Sequence, residues 1–194
     1  MKIIQSMKDF IFFPVRIIFD HQRVNSWGLT SLYDERINIC KKFASGKILD
    51  IGCGEGNEFI KAYGGKGIGI DLFPWNEIDI VGDGIKLPFK SQVFDTVLIL
   101  GSLNYMADKA GAIKEIHRVL KKEGLVLITM INPVFCYLRH KLTWWDKEQN
   151  VVQKGQEGLW ADQIKQLLRY AQFDKIKRVF FLYGLNNLYI GRKK

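Results

Sequence analysis

At 194 residues the chain is long enough for one full domain with a modest appendage and short for two. Hydrophobic residues at 47% and charged residues at 25% exclude a disordered chain, a collagen-like repeat and a disulfide-dense miniprotein. The 29 basic against 20 acidic residues give a formal charge of +9, which permits an anionic partner without requiring one. Cys40, Cys53 and Cys136 form no closely spaced pair and no even-numbered framework, so a reducing, cytoplasmic setting is expected.

The first twenty residues, MKIIQSMKDFIFFPVRIIFD, are apolar enough to imitate an export signal or a membrane span. Lys8, Asp9, Pro14 and Arg16 interrupt the run, it is too short to cross a bilayer, and it has no small-residue cleavage site. Ile3, Ile4, Met7, Phe10, Ile11, Val15 and Ile18 recur at helical spacing, so an amphipathic helix is expected, kinked or restarted at Pro14. Packing of its apolar stripe on the main domain is the first expectation. The alternative is an interfacial helix on lipid.

From residue 46 onward short β-rich runs alternate with helical stretches, the pattern of an α/β domain with a mainly parallel sheet. Strands are expected at 47–51, 67–71, 78–81, 94–100 and 124–131, with two more in IKRVFFL and LYIGRK. Helices are expected over 55–63, 109–121 with Gly124 as its stop, and 160–171. The connection 132–159 is long for a compact domain and carries Phe135, Tyr137, His140, Trp144 and Trp145. A short helix near the mouth of a site is expected there.

The most informative stretch is ILDIGCGEG (48–56), in which an apolar strand ends in an acid and runs into Gly52, Gly54 and Gly56. Such a turn brings backbone close to a ligand and aims amides into the crevice at the carboxyl ends of the strands. Asp71 closes the next strand, about twenty residues on, where a carboxylate accepts from the two hydroxyls of an adenosine ribose. Asp83, in GDG, is placed to accept an adenine amino group. Either acid standing alone would read as a helix cap or turn residue.

These motifs, together with Leu87-Pro88-Phe89, LPFKSQVFDTVLILGSLNYMAD and EIHRVLKKEGLVLIT, resemble the class I S-adenosylmethionine (SAM)-dependent methyltransferases, in particular the subgroup with the LPF element. The resemblance covers Lys47 to about Ile131. It implies a Rossmann-like α/β fold, with a seven-stranded mostly parallel sheet, helices on both faces and an antiparallel C-terminal strand. It implies a helical cap over 1–45 and a methyltransferase domain over 46–194 with a lid-like insertion at about 132–159. SAM is the implied cofactor, with no metal. The family places Asp50 near its amino group, Gly52, Cys53 and Gly54 along the methionine part, and Asp71 on the ribose. Leu72 would lie against the adenine, Asp83 and Gly84 on its edge, and Leu100 beside the sulfonium.

A nicotinamide dehydrogenase also uses a glycine turn and a later acid, but its fingerprint is G-x-G-x-x-G facing a pyrophosphate. Here the turn is G-x-G-x-G followed by Glu55 and Glu58, which repel phosphate and suit a sulfonium with an ammonium group. Two further readings are a SAM-binding module without transfer activity and a membrane-surface protein acting through its N-terminus.

Methyl transfer needs alignment and exclusion of water, with a general base only where the acceptor loses a proton early. Of the three histidines, His117 reads as a helix flank or core residue and His21 as a surface or linker residue. His140, near Asp146 and two tryptophans, is the best base candidate, and Tyr105 is a weaker catalytic candidate where the family often has histidine. Loose similarity of the flanks, SWGLTSLYDERI and GLNNLYI among them, to small bacterial methyltransferases of cell-surface glycan or lipid pathways points to a small-molecule or lipid- or glycan-linked acceptor. It suggests that Tyr33 and Arg36 help cover the cofactor and that Trp144 and Trp145 line an apolar pocket; all four read equally well as packing residues. Peripheral membrane contact through 1–19 would place the protein at the inner membrane surface. Residues 161–194 hold eight Lys/Arg and two Asp/Glu, a difference of +6, yet no basic helix or aromatic signature favours nucleic acid.

Overall fold

The computed structural model describes residues 2–19, 21–135, 137 and 158–194, with the side chains of Lys2 and Ile18 also undescribed. Its strands are β1 (Ile48–Ile51), β2 (Gly67–Asp71), β3 (Ile80–Val81), β4 (Phe94–Leu100), β5 (Leu120–Ile131), β6 (Phe173–Phe181) and β7 (Asn186–Lys193). They form one seven-stranded sheet in the order β3-β2-β1-β4-β5-β7-β6. β1 pairs in parallel with β2 and β4, as β4 does with β5, while β7 runs antiparallel to both β5 and β6. The fold is Rossmann-like α/β, as expected.

The apolar strands follow from two-sided coverage: every residue of β1 is buried, and β4 is buried over Thr96–Ile99. On one face α6 (Lys109–Val119) and α7 (Ala161–Tyr170) pack Ile113, Ile116, Ile164 and Leu168 against Leu49, Val97 and Val126. On the other, α4 (Leu32–Lys41) and α5 (Glu58–Ala62) place Ile37, Cys40, Phe59 and Ile60 on Ile48, Leu98 and Leu127. Ser31 caps α4 by accepting from the Asp34 amide at 3.0 Å, and Asp108 caps α6 by accepting from the Gly111 amide at 2.8 Å.

Several boundaries differ from the sequence reading. The helix expected over 55–63 is a 3₁₀ turn and then α5, separated by Asn57 in the left-handed region (φ 49°), whose side chain donates to Asp79 at 2.7 Å. The third strand shrinks to two residues. α6 stops at Val119, short of the expected end at Lys121, because Leu120 is already extended and pairs with Phe94.

Ahead of α4 the chain folds into α1 (Lys2–Ile11), α2 (Phe13–Ile18) and α3 (His21–Ser26), with Pro14 in the first turn of α2, where a missing amide is harmless. Phe10 and Phe13 pack edge-on against Tyr183 at 5.3 and 5.1 Å between centroids, which seats these helices on the turn between β6 and β7. That turn lies at the carboxyl end of β5, since Ile131 pairs with Asn186.

The face α1 turns inward overturns the expected packing. Asp9 and Arg16 are buried, whereas Ile3, Ile4, Met7, Phe10 and Ile11 are exposed by 60–77%. Asp9 accepts from the Thr30 amide (2.8 Å) and from Gln5 (3.1 Å). Arg16 donates to the carbonyls of Thr30 (2.7 Å) and Asp9 (2.8 Å) and pairs with Glu35. Hydrogen bonds fix the polar side and leave the apolar stripe outside. Among the described residues no helix is long and apolar enough to cross a membrane.

Candidate functional site

β1 has β2 on one side and β4 on the other, so the sheet reverses direction of growth there and opens a crevice at the carboxyl ends of the strands. The glycine turn sits in it. Gly52 (φ 71°) donates its amide to the Ile70 carbonyl at 2.8 Å, and Gly54 (φ 67°) donates to the Asp71 carboxylate at 2.9 Å. A β-carbon on Gly52 would collide with Ser102, whose hydroxyl donates to the Ile51 carbonyl at 2.8 Å, while one on Gly54 would meet no protein atom within 4 Å. Gly52 therefore permits close packing, and Gly54 leaves open space in the crevice.

A cavity of about 420 Å³ occupies this position, lined by Asp50, Gly52, Cys53, Gly54 and Leu100, with Glu55, Glu58 and Glu77 also on its wall. The Asp50 carboxyl is buried, and its Oδ1 has no hydrogen-bond partner among the described residues. Burial, then the neighbouring charge of Asp71, pushes its pKa up to about 7. Burial, then Asp50 and Asp71, pushes the Cys53 thiol up to about 12. Burial and Asp50 likewise raise the Tyr33 hydroxyl. Burial leads each of these shifts and the neighbouring carboxylates add to it, so the cleft resists a further negative charge such as a pyrophosphate.

Asp71 lies just behind this wall, its other oxygen accepting from the Phe73 amide at 3.1 Å. Leu72 is 60% exposed. Asp83 is exposed and accepts from the Ile85 amide at 3.0 Å, the turn role open to it from sequence alone. Gly84 is buried against Ile51 and Met106. These residues cluster at the ends of β2 and β3, where Gly82 donates to the Asp71 carbonyl at 2.8 Å, but none of them lines the cavity.

A second cavity, of about 200 Å³, adjoins the first, and His21 and Tyr33 line both. It lies between α2, α4 and the ends of β5 and β7, with Phe13, Phe19, Phe135, Leu182 and Leu185 among its apolar walls and Arg36 at one side. Tyr105 is half exposed on a 3₁₀ turn and lines neither cavity. His140, Trp144 and Trp145, with most of the expected lid, lie outside the described residues. His117 stands edge-on to Phe173 at 5.1 Å, a packing role as expected.

His21, read from the sequence as a surface or linker residue, is indeed exposed, and it also lines both cavities. α3 carries it back over the strand ends, where its ring lies 5.5 Å from that of Tyr33.

Comparison with known proteins supplies the family. Residues 49–128 match the family model described as a methyltransferase domain. A demethylmenaquinone methyltransferase of Staphylococcus haemolyticus is 30% identical over 213 aligned positions, covering 92% of this chain and 86% of that enzyme. One from Streptomyces griseus is 36% identical over 95 residues, covering 42% of this chain and 41% of its own length. The crystal structure of a SAM-dependent methyltransferase from Thermotoga maritima superposes with a TM-score of 0.64 at 19% identity, covering 82% of this chain and 88% of that one. The glycine turn, the acid-lined crevice and these relationships agree: the chain belongs to the class I SAM-dependent methyltransferases.

Proposed function

We propose that the larger cavity holds SAM and that the enzyme methylates a lipid-soluble acceptor at the inner membrane surface. The observation that carries the cofactor assignment is the buried, unpartnered Oδ1 of Asp50 at the bottom of a cleft floored by glycine. A buried carboxylate oxygen without a partner is costly, and the ammonium group of SAM would satisfy it. Gly52, Cys53 and Gly54 offer backbone along the methionine part, and Asp71, already holding the Gly54 amide, is placed for the ribose hydroxyls. Leu72, Asp83 and Gly84 would meet the adenine, and Leu100 the sulfonium side.

Bound SAM supplies an electrophilic methyl group on a sulfonium. The chain contributes orientation and exclusion of water: Tyr33 of α4 lines the larger cavity, and Arg36 of the same helix donates to the Leu100 carbonyl at 3.4 Å. No covalent enzyme intermediate is needed.

The acceptor's class is supported by two observations. The outward apolar stripe of α1, with Lys8 exposed on the same helix, has the make-up of a helix that lies on a bilayer. Relatives named as demethylmenaquinone methyltransferases point to ring acceptors soluble in lipid.

Calorimetry with SAM and its demethylated product S-adenosylhomocysteine (SAH) tests the first part. Binding is expected, with a marked loss in Asp50→Asn; a folded protein that binds neither ligand overturns the assignment. Flotation with phosphatidylcholine–phosphatidylglycerol vesicles tests the second. The wild type should float and the double variant Ile4→Glu/Met7→Glu should not. Failure of the wild type to float refutes the membrane reading and leaves the cofactor reading standing.

A further inference from the structure

We infer that Glu58 makes the cofactor cleft selective for the positively charged methyl donor over its neutral product, so that spent cofactor is held less tightly than fresh. The inference rests on the larger cavity being the SAM site. Methyl transfer breaks the bond between sulfur and methyl and leaves its electron pair on sulfur. The acceptor supplies the pair of the new bond to carbon and sheds the positive charge as a proton to solvent. With its ammonium and carboxylate cancelling, the ligand thus arrives carrying a net positive charge and ends neutral, and a fixed negative charge on the wall distinguishes the two.

Glu58 opens α5 directly after the left-handed Asn57, and its side chain folds back over the third glycine of the turn. A β-carbon on Gly56 would lie 2.9 Å from its Oε1, so Gly56, at φ 80°, provides the seat for this carboxylate as well as the turn. Glu58 lines the cavity together with Asp50, whose buried Oδ1 lacks a partner among the described residues. Its charge is felt across the cavity on α4: burial first, then Asp50, raise the Tyr33 hydroxyl, Arg36 opposes them, and Glu58 adds to the rise.

The other charges on the wall leave that field standing. Among the described residues that line the cavity are the carboxylates of Asp50, Glu55, Glu58 and Glu77, and no lysine or arginine. Glu77 is paired with Lys61, and Glu55 is exposed, where salt screens it, and accepts from Asn76 at 3.4 Å. Asp50 meets the ammonium group, which donor and product share, so it does not tell them apart. Glu58 is half-buried, and a charge set in a cleft acts more strongly than the same charge on open surface. Of the four carboxylates, it is the one placed to carry the selectivity.

Calorimetry on the full chain with SAM, SAH and sinefungin, an analogue whose amine carries the positive charge in place of the sulfonium, tests the inference. The readout is the ratio of the SAH dissociation constant to that of each charged ligand; a purely structural effect on the site cancels in it. In about 10 mM salt Glu58→Gln should lower both ratios about fivefold, mainly by weakening SAM and sinefungin. Glu123→Gln, which removes a carboxylate paired with Arg192 near the start of β5, should leave both ratios at the wild-type value. At about 1 M salt, where the screening length is about 3 Å, the wild-type ratios should fall toward those of Glu58→Gln. Ratios unchanged in Glu58→Gln, including an equal loss of affinity for all three ligands, or wild-type ratios indifferent to salt would each overturn the inference. Should Glu58→Gln fail to fold, the salt series on the wild type decides by itself. A folded wild type that binds none of the three would instead overturn the cofactor assignment and the inference with it.

Discussion

The Gly54 amide donates to the Asp71 carboxylate across 2.9 Å, so the glycine turn after β1 and the acid at the end of β2 are one unit. The carboxylate positions the backbone that faces the cleft while keeping lone pairs for a ligand.

Loss of Asp71 should therefore damage binding more than folding. Asp71→Asn retains a carbonyl oxygen for the Gly54 amide and should weaken SAH binding about tenfold. Asp71→Ala removes both functions and should weaken it by roughly 100-fold, in line with hydrogen bonds to charged groups. Calorimetry reads both, and wild-type affinity in Asp71→Ala would refute the role.

The Asp50 carboxyl gives a pH signature. Its pKa is raised from 3.8 to about 7, so between those values the ligand-free folded chain holds a proton that the unfolded chain has released. The associated stability is present below pH 4 and is lost as pH rises through about 7. Asp50→Asn should flatten that slope of ligand-free thermal stability. SAH binding should strengthen as pH rises toward 7, because the carboxylate is the form that pairs with an ammonium, and this dependence should vanish in the same variant.

Gly52→Ala combines backbone strain with a collision. The left-handed φ costs about 1–2 kcal/mol for a residue with a β-carbon, and contact with Ser102 adds to it. At about 2–4 °C per kcal/mol for a chain of this size, Tm should fall by several degrees. Adding Ser102→Gly should recover the steric part and leave the strain. Full recovery would show that the backbone tolerates the substitution.

The Arg16–Glu35 pair holds the N-terminal helices to α4. Arg16 has no exposed side-chain surface and Glu35 only 27%, so Glu35→Gln leaves a buried guanidinium without its counter-charge. A loss on the order of 3 kcal/mol is expected. Limited proteolysis should then cut within residues 2–30 faster than in the wild type, and equal rates would argue against this anchoring.

Much of the architecture could be read before folding was considered. The runs ILDI, GIGID and FDTVLIL appear as strands because a strand covered on both faces must be apolar almost throughout, and each sits where expected. Pro14 restarts the helix for reasons local to its own ring. Asp50, Gly52, Cys53 and Gly54 are continuous in sequence and stand out as one turn, whereas Leu100, at the end of β4, joins them only through the family resemblance.

What pattern alone missed depends on the choice among competing partners. Periodicity revealed the amphipathic stripe of α1 but assigned the apolar side to the protein; Gln5, Asp9 and Arg16 found enough hydrogen-bonding partners in Gly28, Thr30 and Glu35 to face inward instead. α6 ended at Val119 and not at Lys121, because Leu120 pairs with β4. The sequence by itself determined the strand set, the glycine turn and its acids, since these rest on local backbone geometry and on burial of whole segments. Only the tertiary structure decided which face of α1 looks outward and brought His21 beside Tyr33, because both outcomes depend on contacts between residues that no periodicity relates.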